Sequence, residues 1–200
     1  MANLVAAVNQ LNSMQPNPDV VLLTGDLTDD GSEAAYRKLR ECLELLRIPY
    51  FVISGNHDDA TNFKKAFADH RYLPGTGSSL HYVVEEFPLR LIGLDTTVAG
   101  EVGGRICEAR RQWLNERLRE QPERPTLIFM HHPPLQTGIF GLNENPFSGD
   151  TELETLVGDV DSQAPPGRDH RLRSRSSGDL QKVRTYRRYH VAKHGLPIYV

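Results

Sequence analysis

Val20-Val21-Leu22-Leu23-Thr24-Gly25-Asp26 is a continuous apolar run that stops on a small, polar turn. A strand covered on both faces reads this way, because neither face is left to water. The same unit recurs at Tyr50-Phe51-Val52-Ile53, ahead of Ser54-Gly55-Asn56-His57-Asp58, and at Thr126–Met130, ahead of His131-His132-Pro133-Pro134. Two alternating runs, Leu80–Val84 and Leu89–Leu94, predict adjacent strands, the second ending at Asp95-Thr96-Thr97.

Helical periodicity fills the intervals. Leu4, Val5, Val8 and Leu11 fall on one face of the first fourteen residues, and Pro16 and Pro18 end that helix. Ser32 is a candidate N-cap for a helix that buries Ala35, Leu39, Leu43 and Leu46. A short helix is expected near Asn62–Ala68, and a longer one over Ala109–Glu120 carries Trp113, Leu114 and Leu118. Alternating strands and helices of these lengths predict an α/β layered fold. Asp26, Asn56-His57-Asp58, Asp95 and His131-His132 then all lie just past strand C-termini, the edge where ligands bind in α/β sheets.

Composition narrows the class. The 200 residues suggest one domain, and 38% hydrophobic with 24% charged residues supports a packed core rather than disorder. No apolar run approaches the roughly 20 residues of a bilayer span. Met1-Ala2-Asn3-Leu4 has neither a basic region nor an apolar stretch, so no signal peptide is expected. Two cysteines, Cys42 and Cys107, exclude a disulfide scaffold or thiolate cluster and fit a cytoplasmic setting. The net charge of −3 conceals a split: residues 1–157 carry 14 Lys+Arg against 22 Asp+Glu, and residues 158–200 carry 9 against 4. An acidic domain is thus joined to a basic tail, in which Arg171-Leu172-Arg173-Ser174-Arg175-Ser176-Ser177 is low-complexity and irregular.

Each polar cluster has a bland reading beside the chemical one. Asp26 alone caps turns of this kind, although a carboxylate there is also placed to bridge cations, with Gly25 admitting close backbone approach. Asn56 offers an amide oxygen to a hard cation, and His57 a proton donor. His131-His132 is a structural pair or a source of metal ligands, stiffened by the two prolines. His190 and His194 are spaced for a helical clamp but lack a third ligand.

Taken in order, the Gly25-Asp26, Gly55-Asn56-His57-Asp58 and His131-His132-Pro133-Pro134 blocks resemble the calcineurin-like metallophosphoesterases. Leu23-Thr24-Gly25-Asp26-Leu27-Thr28-Asp29-Asp30-Gly31 and Phe129-Met130-His131-His132-Pro133-Pro134 are most similar to the bacterial cyclic-nucleotide phosphodiesterase branch, class III. The resemblance covers roughly residues 4–157. It implies an αββα sandwich of mixed sheets flanked by helices, with two divalent ions (Mn, Fe, Zn or Mg) at the strand ends. On that pattern Asp26, Asn56 and His131 are metal ligands, and His57 is the catalytic histidine, held by Asp58. His132 and Asp95 support the ligands from behind. Two cations about 3.5–4 Å apart activate water for in-line attack on a phosphoryl group, and no covalent nucleophile is needed. The implied substrate is a small phosphodiester, 3',5'-cyclic nucleotides first, with specificity set by surrounding loops, here Thr137–Gly149.

Two family blocks have no counterpart. No Asp-x-His and no His-x-His occurs anywhere in the chain. The expectation is therefore an incomplete sandwich over residues 1–157, lacking its first strand and its last metal motif, that holds one ion or none. Residues 158–200, including His170, are read as a basic tail, the product of a shifted reading frame, and the start as a late one. A catalytically impaired fragment of the family is the alternative reading. Contact of the tail with nucleic acid is not expected, since its basic residues show no helical periodicity and no motif.

Overall fold

A computed structural model describes residues 2–75, 77, 79–134, 147–162, 188–189 and 198–199. Helix α1 (Ala2–Ser13) precedes β1 (Val21–Thr24), α2 (Glu33–Leu43), β2 (Tyr50–Ile53) and α3 (Ala60–Ala66). Then come β3 (Tyr82–Val84), β4 (Arg90–Leu94), α4 (Glu108–Glu120), β5 (Thr126–Met130) and α5 (Asp150–Ser162). Two short strands, β6 (Arg188–Tyr189) and β7 (Ile198–Tyr199), complete the order. Ser32 caps α2 as expected, its hydroxyl accepting the Ala35 amide at 3.2 Å.

The strands form two sheets. One has the order β2-β1-β7-β6 and the other β3-β4-β5. β1 and β2 pair in parallel, as do β4 and β5, each pair joined through a helix, whereas β3 runs antiparallel to β4. Side-chain alternation then dictates four layers. Val21, Leu23 and Val52 face α1 to α3, packing with Leu11, Leu39 and Phe63. Leu22, Phe51 and Ile53 point the other way and meet Tyr82, Leu91 and Phe129 between the sheets. Ile92 and Leu94 turn outward onto Leu114 and Leu118 of α4 and Leu153 of α5. The result is the α/β sandwich of the αββα kind.

Several placements differ from the sequence expectation. Ala35 and Leu46 are only half-buried, and Tyr36, 1% exposed, supplies the large side chain beneath α2. Arg90 reads as the polar position of an alternating strand yet is 2% exposed. Its guanidinium donates to Thr126 Oγ1 at 2.9 Å and to the Arg117 carbonyl at 2.7 Å, so burial leaves it satisfied. The charge seam at residue 157 falls inside α5. Leu22 and Leu23 of β1 pair with Tyr199 and Ile198, which the sequence did not place. No helix among the described residues is long and apolar enough to cross a membrane.

Phe63 is fully buried and meets Tyr36 and Phe67 at centroid distances of 6.3 and 5.1 Å. Phe63→Ala is expected to cost about 3–5 kcal/mol in urea denaturation. His81 packs on Trp113 at 4.9 Å and its Nδ1 accepts the Asp95 amide at 3.2 Å. Burial lowers its pKa from 6.5 to about 4, Asp95 opposing and Arg110 reinforcing the shift. Between these values the unfolded chain binds a proton that the folded chain refuses. The stabilising contribution is therefore complete above pH 6.5 and is lost as the pH falls toward 4. His81→Phe should show a shallower decline of Tm than the parent across that window; parallel declines would assign the acid sensitivity to other groups.

Candidate metal and phosphoester site

Asp26 follows β1 on backbone that enters the left-handed region twice, with φ of 91° at Gly25 and 50° at Asp26. Aspartate is among the few non-glycine residues that tolerate this conformation. Its Oδ1 accepts the His57 amide at 3.1 Å and lies 3.3 Å from His131 Nε2. Asn56, past the end of β2, places Oδ1 3.1 Å from the same nitrogen. His131 arrives from β5, on the opposite sheet.

The other contact of His131 sets the tautomer of its neutral ring. Nδ1 lies 2.8 Å from the Thr24 carbonyl, which only accepts, so the proton of the neutral ring sits on Nδ1 and its lone pair on Nε2. Asp26 Oδ1, Asn56 Oδ1 and His131 Nε2 are thus three electron-pair donors turned toward one another. Two oxygens and one imidazole suit a divalent ion such as Mn, Fe, Zn or Mg. The trio named from sequence is brought together, 14% exposed at His131 and 35% at Asp26. No group of three or more His, Cys, Asp or Glu side chains close enough for a metal occurs among the described residues, so the amide of Asn56 is essential to the set.

His57 stands beside this trio with its side chain 48% exposed. Its Nδ1–H donates to the Asp29 carbonyl at 3.0 Å, and among the described residues no hydrogen bond to Nε2 is seen. That hydrogen bond, followed by the Asp26 charge, raises its pKa. The expectation that Asp58 holds the His57 ring is corrected here. The Asp58 carboxylate turns inward and accepts from backbone amides at Leu27, Thr28 and Gly55 and from the Tyr36 hydroxyl. Burial raises the Asp58 pKa, and those donors, Gly55 foremost, oppose the shift. Asp29 was passed over in the sequence because it contributes a backbone carbonyl, which no residue type advertises.

His132 and Asp95 take different places. His132 Nε2–H donates to the Val102 carbonyl at 3.0 Å, and its Nδ1 accepts the Thr96 hydroxyl at 2.8 Å. Both nitrogens are occupied, and the ring backs edge-on against His131 at 4.8 Å. Burial, with His131 adding to it, lowers the His132 pKa. A β-carbon on Gly104 would lie 2.3 Å from this ring, so the loop carrying Val102 can fold over it only with glycine there. Among the described residues the contacts of Asp95 do not reach the trio: its Oδ1 accepts the Thr97 amide at 2.9 Å and hydroxyl at 2.7 Å, and Arg110 lies 3.7 Å from Oδ2. Most of Thr137–Gly149, together with His170, Arg171–Ser177, His190 and His194, lies outside the described residues.

Comparison with known proteins places the chain in a family. A family model for calcineurin-like phosphoesterases matches residues 1–162. The chain is similar to a probable glycerophosphodiester phosphodiesterase of Arcobacter nitrofigilis, 37% identical over 156 residues, covering 78% of this chain and 57% of the relative. It is 31% identical over 152 residues to the 3',5'-cyclic adenosine monophosphate phosphodiesterase of Escherichia coli K12, covering 76% and 54%. A cAMP/cGMP dual specificity phosphodiesterase of Mycobacterium tuberculosis is 36% identical over 132 residues, covering 64% and 41%. The chain spans about half the length of the curated relatives it matches. With residues of its three motif blocks in mutual contact and the family model spanning most of its length, the chain belongs to the calcineurin-like phosphoesterases.

Proposed function

We propose that this chain acts as a metal-dependent phosphodiesterase on small phosphodiesters, 3',5'-cyclic nucleotides first. The observation that carries this reading is the convergence of Asp26 Oδ1, Asn56 Oδ1 and His131 Nε2 from two separate sheets, with the His57 amide bonded to the same Asp26 oxygen. A divalent ion bound there would supply Lewis-acid charge at the phosphoryl group and acidify a water nucleophile. The side chains perform the remaining work. The Thr24 carbonyl keeps the Nε2 lone pair of His131 available, and Asn56 contributes its oxygen without adding charge. His57, anchored through Nδ1 and raised in pKa by its neighbours, holds a proton on Nε2 for the departing alkoxide. The substrate preference is supported by the names of two relatives; a third relative's name makes glycerophosphodiesters the next class to assay.

The ligand count favours a second reading, a catalytically impaired member of the family that binds at most one ion. The purified chain should be loaded with Mn²⁺ and assayed on bis(p-nitrophenyl) phosphate, 3',5'-cyclic AMP and a glycerophosphodiester. Metal-dependent turnover that falls about 10²–10⁴-fold in His57→Ala is the expected result. Background turnover in both proteins, with one bound ion or fewer by elemental analysis, would select the impaired reading.

A further inference from the structure

The inward turn of Asp58 gives it a part that neither its motif nor its neighbours' names assign. Its Oδ2 accepts the Gly55 amide at 2.8 Å and the Leu27 amide at 3.0 Å. Gly55 directly precedes Asn56, and Leu27 directly follows Asp26. A single oxygen atom therefore joins Leu27 and Gly55, 28 residues apart in sequence and each adjacent to one of the three candidate metal ligands. The other oxygen, Oδ1, is held from a different element: the Tyr36 hydroxyl donates to it at 2.7 Å. Thr28 adds its amide at 3.2 Å and its hydroxyl at 3.3 Å.

Tyr36 is an unusually firm anchor for such a contact. It projects from α2, is 1% exposed, and presents its ring edge-on to Phe63 and Phe67 at 6.3 and 6.2 Å. The core thus locates the hydroxyl, and the hydroxyl locates the carboxylate. Without it, Oδ1 keeps only the longer Thr28 contacts, and the carboxylate is free to rotate and carry Oδ2 away from the two loops. We infer that Tyr36 and Asp58 are positioning residues that hold the Asp26 and Asn56 loops at the separation a divalent ion requires. This rests on the proposed function only in taking the Asp26–Asn56–His131 trio as a metal site.

The test uses Mn²⁺ alone as the probe, with its affinity for the full chain measured by calorimetry. Tyr36→Phe removes one O–H and leaves the ring, and should weaken Mn²⁺ binding about tenfold, the lower end of what loss of a supporting contact costs a metal site. Tyr82→Phe is the control: its hydroxyl makes an equally short buried bond, 2.7 Å to the Val52 carbonyl, away from the two loops. That variant should lose comparable Tm and keep the parent's Mn²⁺ affinity. Thr28→Val should weaken binding and Thr28→Ser should restore it; this pair decides the matter if Tyr36→Phe does not fold. Parent-like affinity in Tyr36→Phe, or equal losses in Tyr36→Phe and Tyr82→Phe, would overturn the inference and leave the metal site standing. A parent chain that binds no Mn²⁺ would overturn both.

Discussion

A β-carbon built on Gly25 would stand 2.5 Å from His131 Nδ1 and 2.9 Å from the Gly55 Cα, and one on Gly55 would stand 2.2 Å from Asp26 Oδ1. Real β-carbons do not come that close to other atoms, and at φ 91° a side chain on Gly25 would also be strained. The loops after β1 and β2 and the ring that follows β5 therefore touch only because two positions carry no side chain. The meeting of Asp26, Asn56 and His131 depends on this contact. It lets the Thr24 carbonyl reach His131 Nδ1, and that bond in turn aims Nε2 at Asp26 and Asn56.

Backbone carbonyls assign the protons around the cleft. Thr24, Asp29 and Val102 each take one N–H, from His131, His57 and His132 respectively. His131 turns Nε2 to the Asn56 and Asp26 side chains and His57 bonds a backbone carbonyl only through Nδ1, while His132 is used up at both nitrogens. What each of these rings can offer thus follows from the partners it meets, not from the residue type. Asp58 obeys the same economy of contacts. A mostly buried carboxylate is tolerable when neutral donors surround it, and the amides of Leu27, Thr28 and Gly55 with the Tyr36 hydroxyl do so without a cation.

Much of this was legible in one dimension. Tyr50–Ile53 and Thr126–Met130 are strands at the residues where the apolar runs begin and end, and Ser32 caps α2. These features are local: burial of a short run and capping of a helix involve neighbours within a few residues. The trio Asp26, Asn56 and His131 was found for another reason, since its spacing resembles a family pattern. Arg90, Tyr36 and Asp58 were misread or missed. Each acts through partners far along the chain, Thr126 for Arg90 and Asp58 for Tyr36, and periodicity carries no information about those.

By itself the sequence determined where strands stop and which polar residues stand at their ends, because an apolar run must end where the chain leaves the core. Only the tertiary structure decided that these ends belong to two sheets, with Asp26 and Asn56 on one and His131 on the other. Only it decided that Asp29, not Asp58, holds His57. The Thr24–His131 contact spans 107 residues, and such pairings are settled by how two layers pack face to face, a choice no local run of residues contains.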